Sequence, residues 1–154
     1  MEALAAIERW PVVGLLRTSF YVYPVVSALH IAAIGALLTC VAFLDLRVLG
    51  LLRSIGGESF DAGMRRIAIG AFAVAVFSGA LLFSVRATDY GASTLFRAKL
   101  RLILLAGVNL AMFFRLARRR PAGAPAGAGE RIVASASLCL WVGVLLCGRF
   151  LGFI

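Results

Sequence analysis

Among the ionisable side chains inside the apolar stretches of this 154-residue chain, where a charge or an unsatisfied lone pair is costly, three are predicted to meet in the outer half of a helix bundle. They are His30, the only histidine, Lys99, the only lysine, and Arg149. A charged side chain at the centre of a bilayer costs about 2.5–3.5 kcal/mol on insertion scales, so such a group normally faces a partner or a cavity. These three residues are therefore the candidates for chemistry.

Two interpretations of these residues are open. In the first, the neutral imidazole of His30 is an axial ligand to the iron of haem b, and Lys99 and Arg149 pair with the anionic propionates. In the second, the cations snorkel to the lipid head groups, and His30 is a packing residue that hydrogen-bonds a neighbouring hydroxyl or carbonyl. Because one histidine supplies one ligand, haem binding would require a second ligand from another chain or residue type. The first interpretation therefore predicts a homo-oligomer or a subunit of a membrane complex.

Four apolar stretches must position these groups. The chain is 62% hydrophobic and only 15% charged, a composition that one water-soluble core of this size cannot accommodate. A membrane span needs about 20 apolar residues to cross about 30 Å of hydrocarbon. The predicted spans are 22–44, 67–85, 95–116 and 132–153. The prediction is an all-α polytopic membrane four-helix bundle, a single domain that places His30 about 10 Å below the outer surface, at about 1.5 Å per residue.

A short segment precedes the first span. Its apolar residues and the helix-breaking pair Trp10 and Pro11 predict an interfacial segment on the membrane surface. Acidic Glu2 and Glu8 stand where a signal peptide would carry basic residues, so we expect the first span to be retained.

The distribution of arginine predicts the orientation. Loops one and three hold nine arginines, namely Arg47, Arg53, Arg65, Arg66, Arg115, Arg118, Arg119, Arg120 and Arg131. The positive-inside rule then places these loops in the cytoplasm and both termini in the periplasm, in a bacterial inner membrane. The net charge of +9 is accordingly assigned to contact with membrane lipids and not to nucleic acid. Residues 121–129, all Pro, Ala or Gly, predict a flexible cytoplasmic linker.

Other polar residues carry weaker signals. Asp45 and Arg47 predict a local ion pair or an interfacial anchor, with a proton-relay carboxylate as the alternative. Asn109 and Trp141 near mid-membrane are typical of residues that join helices.

The small residues in the predicted spans indicate where helices could pack closely. Glycines suited to close helix approach are Gly35, Gly79, Gly107 and Gly143. Cys40, Cys139 and Cys147 are interpreted as small core residues, without disulfide or zinc spacing. The chain shows no Ser/His/Asp arrangement or phosphate-binding glycine loop, which argues against hydrolase and nucleotide chemistry.

Several short motifs together resemble a family of small bacterial four-helix membrane proteins. They are Tyr23-Pro24, Leu29-His30, Asp45-Leu46-Arg47 with Leu49-Gly50, FRAKL from Phe96 to Leu100, and Gly148-Arg149. The pattern also distantly resembles the copper-resistance D-type membrane domain and the small four-helix protoporphyrinogen oxidase.

The oxidase resemblance bears on the candidate residues. It implies b-type haem with a functional histidine in the first helix and a functional lysine in the third, and His30 and Lys99 match those positions. The chain departs from the oxidase after its histidine, where it reads AFLDLRVLG in place of an aromatic, proline and arginine run.

The function predicted from these observations is haem b binding and electron transfer, within an oligomer or a respiratory assembly. One alternative is a haem-dependent oxidase of a porphyrin precursor, for which quinone is a candidate acceptor. The other is a non-catalytic membrane anchor or scaffold subunit.

Overall fold

The computed structural model describes residues 2–52, 54–55, 57–119 and 124–152. Those residues form seven helices and no strand, which confirms the predicted all-α class. The helices are α1 (Glu2–Glu8), α2 (Pro11–Thr18), α3 (Val22–Leu49), α4 (Glu58–Val85), α5 (Ala87–Ala92), α6 (Thr94–Arg119) and α7 (Ala128–Leu151).

Four of these helices, α3, α4, α6 and α7, are long and apolar enough to cross a membrane. Each helix extends beyond the apolar stretch that was predicted to span the membrane, because the helices continue into polar sequence. Helix α3 extends to Leu49, and α4 begins at Glu58, with Glu58 and Asp61 in its first turn. Acidic residues there interact favourably with the helix dipole. The end of the fourth predicted span, at 153, lies outside the described residues.

Helix α3 ends at a glycine with a left-handed backbone. Gly50 has φ of 90°, and its N–H donates to the Arg47 carbonyl while the Leu51 N–H donates to the Leu46 carbonyl. These two bonds form a Schellman motif, which satisfies carbonyls left over at a helix end and strongly favours glycine. The motif explains why the chain turns after Leu49-Gly50.

The chain divides into two compact units. Unit 1 consists of residues 1–38 and 66–94, and unit 2 of residues 39–65 and 95–154. Unit 2 contains parts of all four long helices, joined by contacts between α3 and α4, between α3 and α7, and between α6 and α7. These contacts form the predicted four-helix bundle.

In unit 1, the N-terminal segment forms two helices that break at Arg9 and Trp10, as the sequence predicts. Helix α1 packs against α2 and α5, and Leu4 lies against Gly91. On α2, Val13 and Leu16 are buried while Leu15 is 66% exposed. The exposed apolar face suits a lipid surface.

Glu8 and Arg17 together hold the junction between α4 and α5. The Arg17 Nε donates to the Val85 carbonyl at 3.0 Å, and its Nη2 donates to the same carbonyl and lies 3.1 Å from Glu8 Oε2. Glu8 Oε1 accepts from the Thr88 N–H at 2.8 Å and from the Thr88 hydroxyl at 2.7 Å. One ion pair thus caps the end of α4 and the start of α5.

This junction predicts a specific response to acid. The Thr88 N–H, the Thr88 hydroxyl and the Arg17 guanidinium lower the pKa of Glu8 from 4.5 to about 2. When folding lowers the pKa of a carboxyl, its full contribution to the docking of the N-terminal helices is present above the pKa of the unfolded state. That contribution is lost as the pH falls through the pKa of the folded state. We expect Trp10 fluorescence, measured in a Trp141→Phe background, to change only below pH 4.5.

Glu8→Gln is the matched control for that titration. It retains the shape of the side chain and loses the charge, so it should show the acid-form spectrum at neutral pH and no transition. A wild-type transition centred above pH 4.5 would contradict the assignment to Glu8.

The predicted linker is shorter than its composition indicates. Residues 121–123 lie outside the described part, 124–127 are non-helical, and α7 already begins at Ala128. The Gly127 N–H donates to Glu130 Oε2 at 2.8 Å, which fixes this helix start.

Candidate functional site

His30 packs across the α3–α4 contact of unit 1. Its Nδ1 lies 2.9 Å from the Oγ of Ser78, which is 1% exposed. The Ser78 hydroxyl in turn donates to the Val74 carbonyl at 2.6 Å. The imidazole is therefore joined to the α4 backbone through one hydroxyl.

This arrangement sets the tautomer of His30. Because the Ser78 proton is directed to Val74, Ser78 Oγ accepts from the imidazole, and Nδ1 carries the proton. The lone pair of the neutral ring then belongs to Nε2. A histidine that binds a metal usually has one ring N–H held in this way by a second partner.

Gly79 allows the ring to lie this close to α4. A Cβ at Gly79 would stand 2.9 Å from His30 Cε1, nearer than side-chain contacts allow. Glycine was predicted to permit close helix approach here, and the approach is confirmed. Gly143, which faces Leu102 at 3.2 Å, also agrees with that prediction. The prediction of close helix approach is wrong for Gly35 and Gly107. Among the described residues, no atom of a neighbouring helix lies within 4 Å of the Cβ position of either glycine.

Lys99 and Arg149 belong to unit 2, whereas His30 belongs to unit 1. The Lys99 side chain lies along α7, with Nζ 3.4 Å and Cε 3.6 Å from the Cβ position of Gly148. Arg149 is the next residue, in the last turn of α7. The structure thus brings Lys99 to the turn that carries Arg149, and the role of both toward propionates stays a prediction.

His30 contributes a single imidazole donor. Among the described residues, no group of three or more His, Cys, Asp or Glu side chains could hold a metal ion. A porphyrin supplies four nitrogen ligands itself and needs only axial donors from the protein. A neutral imidazole with its Nδ1 proton already held by Ser78 is such a donor.

Arg47 pairs with a different carboxylate from the one predicted. Its Nε lies 2.7 Å from Asp61 Oδ1, and its Nη2 donates to Asp61 Oδ2 at 3.4 Å. The guanidinium also stands 5.9 Å from the centre of the Phe60 ring, a cation–π contact. The prediction of a local Asp45–Arg47 pair is therefore wrong, because residues two apart on a helix do not face each other.

Asp45 instead contacts α7. The Ser137 hydroxyl hydrogen-bonds its carboxyl, while Oδ2 is enclosed and has no hydrogen-bond partner in the described chain. This enclosed atom was not foreseen.

Two further predictions concern packing inside the bundle. The Asn109 amide donates to the Val133 carbonyl at 3.0 Å and joins α6 to α7, as expected. All three cysteines are free, and Cys40 is buried. Cys139 is exposed, so its assignment to the core was wrong.

The functional residue that the sequence analysis missed is Ser78. It lies 48 residues from His30, and an isolated serine in an apolar helix gives no signal of its partner. Its neighbour Gly79 was identified as a packing position, and a small residue opposite a histidine was the available signal.

No protein family, no curated protein sequence and no solved structure matches this chain. The resemblances drawn from its short motifs therefore stay predictions.

Proposed function

We propose that this chain is an integral inner-membrane protein that binds haem b through His30 and serves electron transfer. The observation that supports the proposal is the hydrogen bond of His30 to Ser78, which places the ring lone pair on Nε2. Haem iron, when bound, supplies one-electron chemistry. The protein acts as a homo-oligomer or as a subunit of a respiratory assembly, since one histidine provides one axial ligand.

Each residue has a defined part in this proposal. His30 Nε2 would hold the haem iron, and Ser78 would hold the ring in the required tautomer. Lys99 and Arg149 provide positive charge for the propionates.

The visible absorption spectrum of the protein purified in mild detergent tests the proposal. We expect the bands of a b-type haem after expression or after addition of excess haem. Protein that remains colourless with haem in excess would rule the proposal out.

A second candidate is a non-catalytic anchor or scaffold subunit. The same His30–Ser78 bond favours it, because a packing histidine was predicted to bond a neighbouring hydroxyl. The two candidates differ in the spectrum: the scaffold is colourless and co-purifies with its partner complex.

The orientation is part of the proposal, with both termini periplasmic and loops one and three cytoplasmic. Its support is the excess of arginine in those loops. In a variant lacking the native cysteines, a membrane-impermeant thiol reagent should label Ser93→Cys in intact cells and not Gly127→Cys. Gly127 has φ of −75°, so cysteine fits its backbone. The reverse labelling pattern would invert the orientation.

Lys99 should affect the cofactor differently from an iron ligand. Lys99→Met keeps the length of the side chain and its packing against Gly148 but removes the charge. We expect the haem bands to persist while haem dissociates faster or its midpoint potential shifts. Spectroscopic haem transfer to a competing apoprotein measures the dissociation. Complete loss of the spectrum would instead make Lys99 a ligand.

A further inference from the structure

Asp45 presents a polar atom that the bundle encloses without satisfying. Its Oδ2 is shielded from solvent and accepts no hydrogen bond in the described chain, and the carboxyl has only the Ser137 hydroxyl as a bonded partner. Asp45 lies four residues before the end of α3 at Leu49, about 6 Å along the helix axis at about 1.5 Å per residue. The carboxyl is thus within the helix and close to its loop end.

Two charged groups on the helices around Asp45 have partners of their own. Arg47, on the same helix, pairs with Asp61 of α4. Helix α7 offers the neutral Ser137 hydroxyl, and the nearest acid further along that helix, Glu130, accepts from the Gly127 N–H. Among the described residues, no cation forms an ion pair with Asp45.

An ionised carboxylate in this position would be expensive. Burial of an unpaired charge costs far more than burial of a neutral polar group, so such a group normally becomes neutral. A neutral acid still accepts the Ser137 hydrogen bond, more weakly than a carboxylate does, and leaves no uncompensated charge in the bundle. The enclosure of Oδ2 therefore favours an O–H at that oxygen.

We propose that Asp45 is a proton-binding site within the bundle, where Oδ2 takes a proton from water at the α3–α4 loop end and returns it there. Binding forms one O–H bond, converts the carboxylate to the neutral acid and needs no other reactant. Ser137 holds the second oxygen in both states. This site goes beyond the proposed haem function and does not depend on it.

Infrared spectroscopy of the full-length protein in lipid vesicles tests the site directly. A protonated carboxylic acid has a C=O stretch that is separate from the amide bands and shifts in heavy water. On titration from neutral to mildly acidic pH, wild-type protein should gain such a band, and Asp45→Asn should not gain the part of it that belongs to Asp45. Asp61→Asn should retain it, because Asp61 has Arg47 as its partner and is not the enclosed, unpaired carboxyl.

Two controls keep the result decisive. Glu130 is also buried, so the Asp45 signal is taken from the difference between wild-type and Asp45→Asn protein. If Asp45→Asn folds poorly, Asp45→Glu is the variant to use. It keeps a carboxyl, so it should show the acid band at a shifted frequency. Absence of the band in the wild type, or its persistence in folded Asp45→Asn, would overturn the proposal in favour of an ionised Asp45.

Discussion

Haem absorption should disappear when His30 is replaced by alanine. The substitution removes the imidazole nitrogen that would bond to iron, and haem without its axial ligand is no longer held. The bundle should remain intact, because Ser78 still donates to the Val74 carbonyl and an alanine makes the span more apolar. The measurement is the absorption spectrum of equal amounts of wild-type and variant protein.

Ser78→Ala separates ligation from packing. It removes the partner that holds Nδ1 but leaves Nε2, so the haem bands should persist with roughly 10- to 100-fold weaker affinity. If His30 only packs, neither substitution changes any spectrum, since no haem is bound. An unchanged haem spectrum in His30→Ala would show that another residue is the ligand.

The second large effect concerns the Arg47–Asp61 ion pair. The Arg47 and Asp61 side chains are 17% and 28% exposed. This exposure is intermediate between that of surface ion pairs, which contribute up to about 1 kcal/mol to stability, and that of buried ion pairs, whose disruption costs about 3–5 kcal/mol. We expect Asp61→Leu to lower the free energy of unfolding by about 1–3 kcal/mol, because it leaves the Arg47 charge without its partner. Unfolding by a denaturing detergent, followed by circular dichroism, measures the change.

The structure offers matched controls for this pair. The double variant Arg47→Leu with Asp61→Leu should recover most of the loss, because neither charge is then buried alone. The Arg86–Asp89 pair is 57% and 59% exposed, so Asp89→Leu should change stability little. A double variant as unstable as Asp61→Leu would show that the unpaired Arg47 charge is not the cause of the loss.

The sequence predicted the features that depend on local composition. Apolar length identified the four long helices, and Trp10-Pro11 identified the break between α1 and α2. Both signals lie within one turn or one span of the chain. The same reasoning applied to spacing could have excluded an Asp45–Arg47 pair, because positions two apart point to different sides of a helix.

The features that the sequence could not predict depend on residues far apart in the chain. Helix α5 has only six residues and no apolar period, and Glu8, 80 residues away, caps its start. Ser78 and Ser137 become partners of His30 and Asp45 only when helices pack. Hydropathy places such helices in a membrane but does not fix which faces meet.

The long separation between Glu8 and Thr88 has a consequence for how the protein is made. A ribosome adds about 5–20 residues per second, so Thr88 is synthesised several seconds after Glu8. During that interval the α4–α5 junction, which Arg17 and Glu8 bond in the folded protein, does not yet exist. The N-terminal helices can therefore reach their final position only after the first 88 residues have been made, and their docking is a late step in the formation of unit 1.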